Sequence, residues 1–89
     1  MVKTINFDDH CIYWSKNYMI SKTYVEHQIG YIYDIIRYQG YIYLEEIYKL
    51  FGAGWNPRES NDVMIFGEND PVVSYKHLGG SDFSISICY

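Results

Sequence analysis

The segment Gly40-Tyr41-Ile42-Tyr43-Leu44-Glu45-Glu46-Ile47-Tyr48-Lys49-Leu50-Phe51-Gly52 limits the possible folds more than any other part of the chain. Leu44, Ile47, Tyr48 and Phe51 recur at i, i+3, i+4 and i+7, which puts them on one face of a short helix. Glu45 and Glu46 occupy its first turn, where carboxylates suit the positive end of the helix dipole. Lys49 follows Glu45 by four residues, the favourable order for a helical ion pair. Gly52 and Gly54 stop the helix, and Asn56-Pro57 keeps it from resuming. Tyr41-Ile42-Tyr43, aromatic and β-branched, reads as a brief extended connector into the helix. Trp55, between the stop signals, reads as a plug against the helices.

A longer helix precedes this segment. Ser21 is the predicted N-cap, and the helix runs to about Tyr38. Val25, Ile29, Ile32 and Ile36 form one apolar stripe, and Tyr24, Tyr31, Ile35 and Tyr38 form a second beside it. Thr23, Glu26, His27, Asp34 and Arg37 take the solvated side. So broad an apolar arc means that the helix is covered on two sides or that one side is an interface. Gly30 falls among the polar positions, where it weakens a helix by about 1 kcal/mol relative to Ala. Gly40 ends the helix in the manner of a left-handed C-terminal glycine.

After the loop Arg58-Glu59-Ser60-Asn61 the period changes to two. Val63–Phe66, Val72–His77 and the alternation Phe83, Ile85, Ile87 read as three strands, with turns at Gly67-Glu68-Asn69-Asp70-Pro71 and Gly79-Gly80-Ser81. Short turns between successive strands predict a three-stranded antiparallel meander. Such a sheet needs a cover, and the two helices supply it. The expected fold is therefore a single α+β domain over residues 1–89. It divides into an N-terminal arm at 1–20, a helical pair at 21–52 and the sheet at 62–89. In the arm, Thr4-Ile5-Asn6-Phe7 reads as a short strand, and Asp8-Asp9 as the cap of a helical turn through Ile12, Tyr13 and Trp14. Trp14, Tyr18, Met19 and Ile20 are too apolar for a free tail and are expected to pack on the body.

A chain of 89 residues buries only about 60–70% of its unfolded surface, so it needs help to be stable. Eleven Tyr, two Trp and four Phe provide it, since each ring removes a large apolar area from water. That many tyrosines also implies some at the surface, where aromatic residues favour interfaces. The net charge of −4 argues against a free nucleic-acid binder and suits a basic partner. Cys11 and Cys88 read as reduced thiols rather than a disulfide framework. Met1–Asp9 lacks the apolar run of a secretory leader, and no stretch approaches the ~20 apolar residues of a membrane span. A soluble protein in the cytoplasm is expected.

The Gly40–Gly52 segment followed by Trp55-Asn56-Pro57 resembles a pattern in small proteins of Firmicutes bacteria and their phages, a family of unknown function. Its members share a helix, a Gly-Tyr connector, an acidic-start helix ending in Leu/Phe-Gly, and then strands. The resemblance covers about half the chain, from Tyr24 to the first strands, and is carried by the aromatic and glycine positions. The N-terminal arm departs from it. The resemblance implies a phage or mobile-element origin and, by association, a host-defence inhibitor such as an anti-CRISPR protein.

Catalytic and metal chemistry find little footing. Asp8, Asp9, His10 and Cys11 are four ligand-type residues in a row, but neighbours rarely point at one centre. Cys11 or Cys88 with a His lacks an activating context. Glu45 and Glu46 point about 100° apart on a helix and are explained by the dipole. No cofactor, metal or catalytic residue is expected. Tyr24 to Phe51 imitates a helix-turn-helix, yet Lys16, Lys22, Arg37, Lys49 and Arg58 are scattered and no basic recognition helix follows. The residues expected to meet a partner are Tyr24, Tyr31, Tyr38, Tyr41 and Tyr43 as anchors, and Glu59, Asp62, Glu68 and Asp70 as carboxylates offered to arginines. The expected partner is a host protein, concretely a nucleic-acid-binding effector with a basic groove, with no direct nucleic-acid or membrane partner. Self-association as a homodimer, in a structural or accessory role, is the competing expectation, and a small nucleic-acid binder the third.

Overall fold

The computed structural model describes residues 1–54 and 63–89. The expectations for Trp55, Glu59 and Asp62 fall outside the described residues. The elements in chain order are β1 (Val2–Phe7), α1 (Tyr18–Gln39), β2 (Tyr41–Tyr43), α2 (Leu44–Leu50), β3 (Met64–Phe66), a 3-10 turn (Gly67–Asn69), β4 (Val72–Gly79) and β5 (Asp82–Cys88).

Two helices pack on small antiparallel sheets, so the α+β class holds. The strand partners differ from a three-stranded meander. The larger sheet has the order β1-β5-β4, and β2 pairs with β3 in a separate two-stranded ribbon. The third strand of this sheet is Val2–Phe7, added on the β5 side, whereas the meander would have placed Val63–Phe66 beside β4. The reason is visible in the side chains: Ile5 and Phe7 alternate inward opposite Ile85 and Phe83, whereas the three residues of β3 match the equally short β2. In the ribbon Ile42 faces Ile65, both buried, and Tyr41 lies opposite Phe66 and Tyr43 opposite Met64.

One core joins these parts. Val25, Ile32 and Ile36 of α1 bury against a cluster containing Phe7, Phe83, Ile85 and Ile87, with Ile42, Leu44, Ile47 and Phe51 completing it. The first expected stripe of α1 is thus core. The second divides: Tyr24 and Ile35 are half-buried and pack on the cluster, while Tyr31 and Tyr38 are exposed. Tyr24 stacks on Phe7 at 5.7 Å and its hydroxyl donates to the Leu50 carbonyl. Helix α2 forms as its pattern requires, and Lys49 Nζ lies 3.3 Å from Glu45 Oε1.

Helix α1 starts earlier than expected. Asn17 is its N-cap, with Oδ1 accepting the Met19 and Ile20 amides at 3.0 and 3.3 Å. Ser21 is buried inside the first turn, where its hydroxyl accepts from the Ser15 amide and donates to the Ser15 carbonyl. A second clasp holds the arm to the β4–β5 turn: Trp14 Nε1 donates to the Ser81 carbonyl at 2.9 Å, and Ser81 Oγ donates to the Lys16 carbonyl at 2.7 Å. Asp8 closes a tight turn instead of capping a helical one, accepting the His10 amide on Oδ1 and the Cys11 amide on its carbonyl. Trp14 packs as expected, but Met19 and Ile20 face solvent, as do Ile12 and Tyr13.

Three glycines behave differently. At Gly67 a Cβ would lie 2.8 Å from Ile36 Cγ2, a clash with a core side chain. At Gly52, with φ 67°, it would lie 2.9 Å from the Ile12 amide nitrogen. At Gly30 it would meet nothing within 4 Å. Chemical denaturation should therefore show Gly67→Ala destabilised by about 1–3 kcal/mol through overpacking. Gly30→Ala should be stabilised by about 1 kcal/mol through helix propensity. Equal effects at the two sites would contradict this packing.

Candidate partner-binding groove

The end of α1 and the 3-10 turn after β3 together form a groove that two of the expected carboxylates line. Gly40, at φ 86°, terminates the helix and donates its amide to the Ile36 carbonyl at 2.8 Å. Its own carbonyl accepts the Gly67 amide at 2.9 Å. Lacking a Cβ, Gly67 can rest on Ile36, and this close approach draws the 3-10 turn onto the last turn of the helix. The turn then carries Glu68 outward and ends at Asp70, which adopts a left-handed φ of 49° and donates its amide to the Gly67 carbonyl. Asp is among the few non-glycine residues that tolerate that conformation.

The result is a groove of about 610 Å³. Glu68, Asp70 and Arg37 line it with Phe66, Tyr33 and Pro71, over Ile36 and the backbone of Gly40 and Gly67. Arg37 is exposed and lies 3.7 Å from Asp34 one turn back. Tyr33 fixes the other flank: its hydroxyl accepts the Val73 amide at 2.8 Å, which occupies an outward-facing group of edge strand β4.

Of the residues expected at an interface, the structure brings Glu68, Asp70, Tyr38, Tyr41 and Tyr43 to this end of the molecule. Glu68 and Asp70 line the groove. Tyr41 shares a ribbon face with the groove residue Phe66, its cross-strand partner, and packs edge-on to Tyr43 at 5.7 Å. Tyr38, 93% exposed, lies in the last turn of α1 beside Arg37. Tyr31, 53% exposed, is two turns earlier on the helix. Tyr24 is elsewhere, stacked between Phe7 and Tyr13 with its hydroxyl engaged. Sequence reasoning missed Phe66 and Arg37. Phe66 ends a strand whose alternation sends Ile65 inward and its neighbours outward, so the signal was present once the β2–β3 pairing was recognised.

The groove offers carboxylates, an aromatic ring and one guanidinium. Such a surface can take up a cationic side chain by charge-assisted hydrogen bonds and ring contact. Among the described residues, no group of three His, Cys, Asp or Glu side chains comes together as a metal site would require. None of the helices among them is long and apolar enough to cross a membrane. The cysteines are free: Cys88 is exposed, and Cys11 is buried with its thiol against the Asn6 carbonyl at 3.3 Å.

Burial raises the pKa of the Cys11 thiol above its ordinary 9.0, opposed in part by a backbone hydrogen bond at Asp8. Burial also raises that of the Tyr24 phenol above its ordinary 10.0, with Tyr13 adding to the effect. Both groups hold their protons more tightly folded than unfolded. Their contribution to stability is complete below the ordinary thiol value and is lost as pH rises through the raised values. Denaturation midpoints should therefore fall steadily above pH 9.0. Cys11→Ser, whose hydroxyl does not titrate in this range, should shift the onset upward toward the phenol range. A midpoint that stays flat through the thiol and phenol ranges would contradict the burial of these groups.

Comparison of the chain with protein-family models, with curated proteins and with solved structures finds no match, so the functional reading rests on the residues and their geometry.

Proposed function

We propose that this chain is a non-enzymatic binding protein of phage or mobile-element origin. In this reading it inhibits a host protein in the host cytoplasm, most concretely as an anti-CRISPR or other counter-defence inhibitor. The observation that carries the reading is the groove at the end of α1, where Glu68 and Asp70 stand beside the exposed Phe66 on a chain of net charge −4. A nucleic-acid-binding effector holds phosphates with arginines and lysines in a basic groove. The carboxylates of Glu68 and Asp70 at the groove can meet the same side chains, and the neighbouring Tyr41, Tyr43 and Tyr38 supply the rigid aromatic area that anchors an interface. Inhibition would follow from occupancy alone, with no bond made or broken.

The test is nucleic-acid cleavage by the host's RNA-guided nuclease, with the protein added before or after the nucleic acid. Inhibition is expected when the protein is added first and should weaken as salt rises. Glu68→Gln with Asp70→Asn should reduce potency by roughly tenfold or more, and Tyr38→Ala should act in the same direction. Full cleavage at a large excess of wild-type protein would overturn the reading for that effector. Undiminished inhibition by the neutralised variant would overturn the role of the groove.

A further inference from the structure

Strand β4 lies at one edge of the larger sheet, and α1 runs beside that edge. Three contacts fix their course: Tyr18 meets His77 at 4.9 Å, Glu26 lies beside the Tyr75 phenol, and Tyr33 bonds the backbone of Val73. Residue numbers rise along the helix as they fall along the strand, so the two are antiparallel neighbours. Between them lies a cleft of about 450 Å³, lined by Glu26, Ile29, Gly30, Val73, Ser74 and Tyr75. Side chains of a strand alternate between its faces, so three successive residues border one cleft along the edge of the strand.

That edge is open at its middle. The Val73 amide donates to the Tyr33 hydroxyl rather than to β5, which marks Val73 as an outward-facing position of the ladder. In an antiparallel pair the outward groups recur at every second residue, so Tyr75 and His77 also point theirs away from β5. Among the described residues, no hydrogen bond occupies the outward backbone groups of Tyr75. The open stretch is short. Tyr33 closes it at Val73, and the register shift between His77 and Gly79 closes it at the other end. Unpaired backbone groups at strand spacing are matched by another extended backbone. The two stops admit a short segment and obstruct the long edge of a second sheet.

The helical wall of the cleft sets the side chains that such a segment needs. A Cβ at Gly30 would meet nothing within 4 Å, so packing within the chain does not require glycine there. A residue without a side chain does leave room for another backbone to approach. Glu26, one turn earlier, is exposed and forms no ion pair among the described residues. Four helix residues rise about 6 Å, and two strand residues span about 6.6 Å. One face of an extended segment therefore brings successive side chains to these two positions, an apolar one over Gly30 and Ile29 and a cationic one at Glu26. We infer that the cleft between α1 and β4 takes up an extended polypeptide segment as an added strand on β4, with an apolar residue and a Lys or Arg two positions apart. This goes beyond the carboxylate groove and does not rest on it, because neither Glu68 nor Asp70 lines the cleft.

Selection from a display library of random linear peptides of about ten residues tests it. Recovered peptides should carry the apolar and cationic residues at that spacing. Added to isotope-labelled protein, they should shift the Tyr75 and His77 amide resonances and slow exchange of the Tyr75 amide. Methylating the backbone nitrogens of a recovered peptide that face β4 should abolish binding, and methylating the alternate set should not. Gly30→Leu fills the cleft with a good helix former, so the protein should stay folded by circular dichroism while peptide affinity falls by roughly tenfold or more. Glu26→Gln, at an exposed position, should lower the affinity and flatten its salt dependence, which gives a second reading if Gly30→Leu misfolds. Glu68→Gln with Asp70→Asn should leave peptide binding unchanged, which separates the cleft from the groove. Recovery of no peptide, or of peptides that bind folded Gly30→Leu and Glu26→Gln as tightly as the wild type, would overturn the inference. Slowed exchange at Tyr75 on concentrating the protein alone would assign the edge to a second copy and overturn it as well.

Discussion

The pairing of β1 with β5 is the constraint on which the remaining packing depends. Six registered pairs run from Val2 opposite Cys88 to Phe7 opposite Phe83. They convert a two-stranded hairpin, marginal by itself in water, into a three-stranded sheet with a continuous apolar face. They also deliver Ile5 and Phe7 to the core. Phe7 then organises its surroundings: it stacks on Tyr24 of α1 and meets Phe51, just past α2, edge-on at 6.0 Å. The chain ends reinforce the pairing, with the Met1 amino group donating to the Tyr89 carbonyl and the Tyr89 amide to the Met1 carbonyl. Joining the two ends of the chain imposes a large loop closure, although that entropy grows only logarithmically with length.

This arrangement explains what could be read from the sequence and what could not. Helical periodicity is local, so the α1 stripe, the Gly40 stop and α2 were legible from residues a few positions apart. So were the glutamate–lysine pair at Glu45 and Lys49 and the alternation of β5. Strand partnership is not local. Val2–Phe7 and Val63–Phe66 are both strand-like, and nothing within either segment says which of them joins the β4–β5 sheet, or on which side. The helix start moved to Asn17 for a similar reason. Ser21 and Asn17 are both good caps, and the choice was made by Ser15, which engages Ser21 through the fold. At the groove, Glu68 and Asp70 were legible as an acidic turn. Phe66 and Arg37 were not, because their proximity depends on Gly67 resting on Ile36.

The tyrosines show how one composition serves two ends. Tyr24 and Tyr33 are spent on structure, one filling the space beside Phe7 and the other bonding the edge of β4 at Val73. Tyr31, Tyr38, Tyr41 and Tyr43 are less completely used. Two of these lie on the outer side of α1 and two on the β2–β3 ribbon that borders the acidic groove. A small domain that needs its rings for stability has thus kept several at the surface, on two faces separated by the curvature of the helix. The ribbon and groove combine rings with carboxylates.

The most direct test of this account is amide hydrogen exchange in the native protein. Because β1 is a full member of the sheet, its amides that face β5 should exchange as slowly as those linking β4 to β5, by opening of the whole domain. Truncating Phe7 to Ala should speed exchange in β1 and in the Tyr24 turn of α1 together. Rapid exchange throughout β1, with β4 and β5 still protected, would contradict the central place given to the β1–β5 pairing.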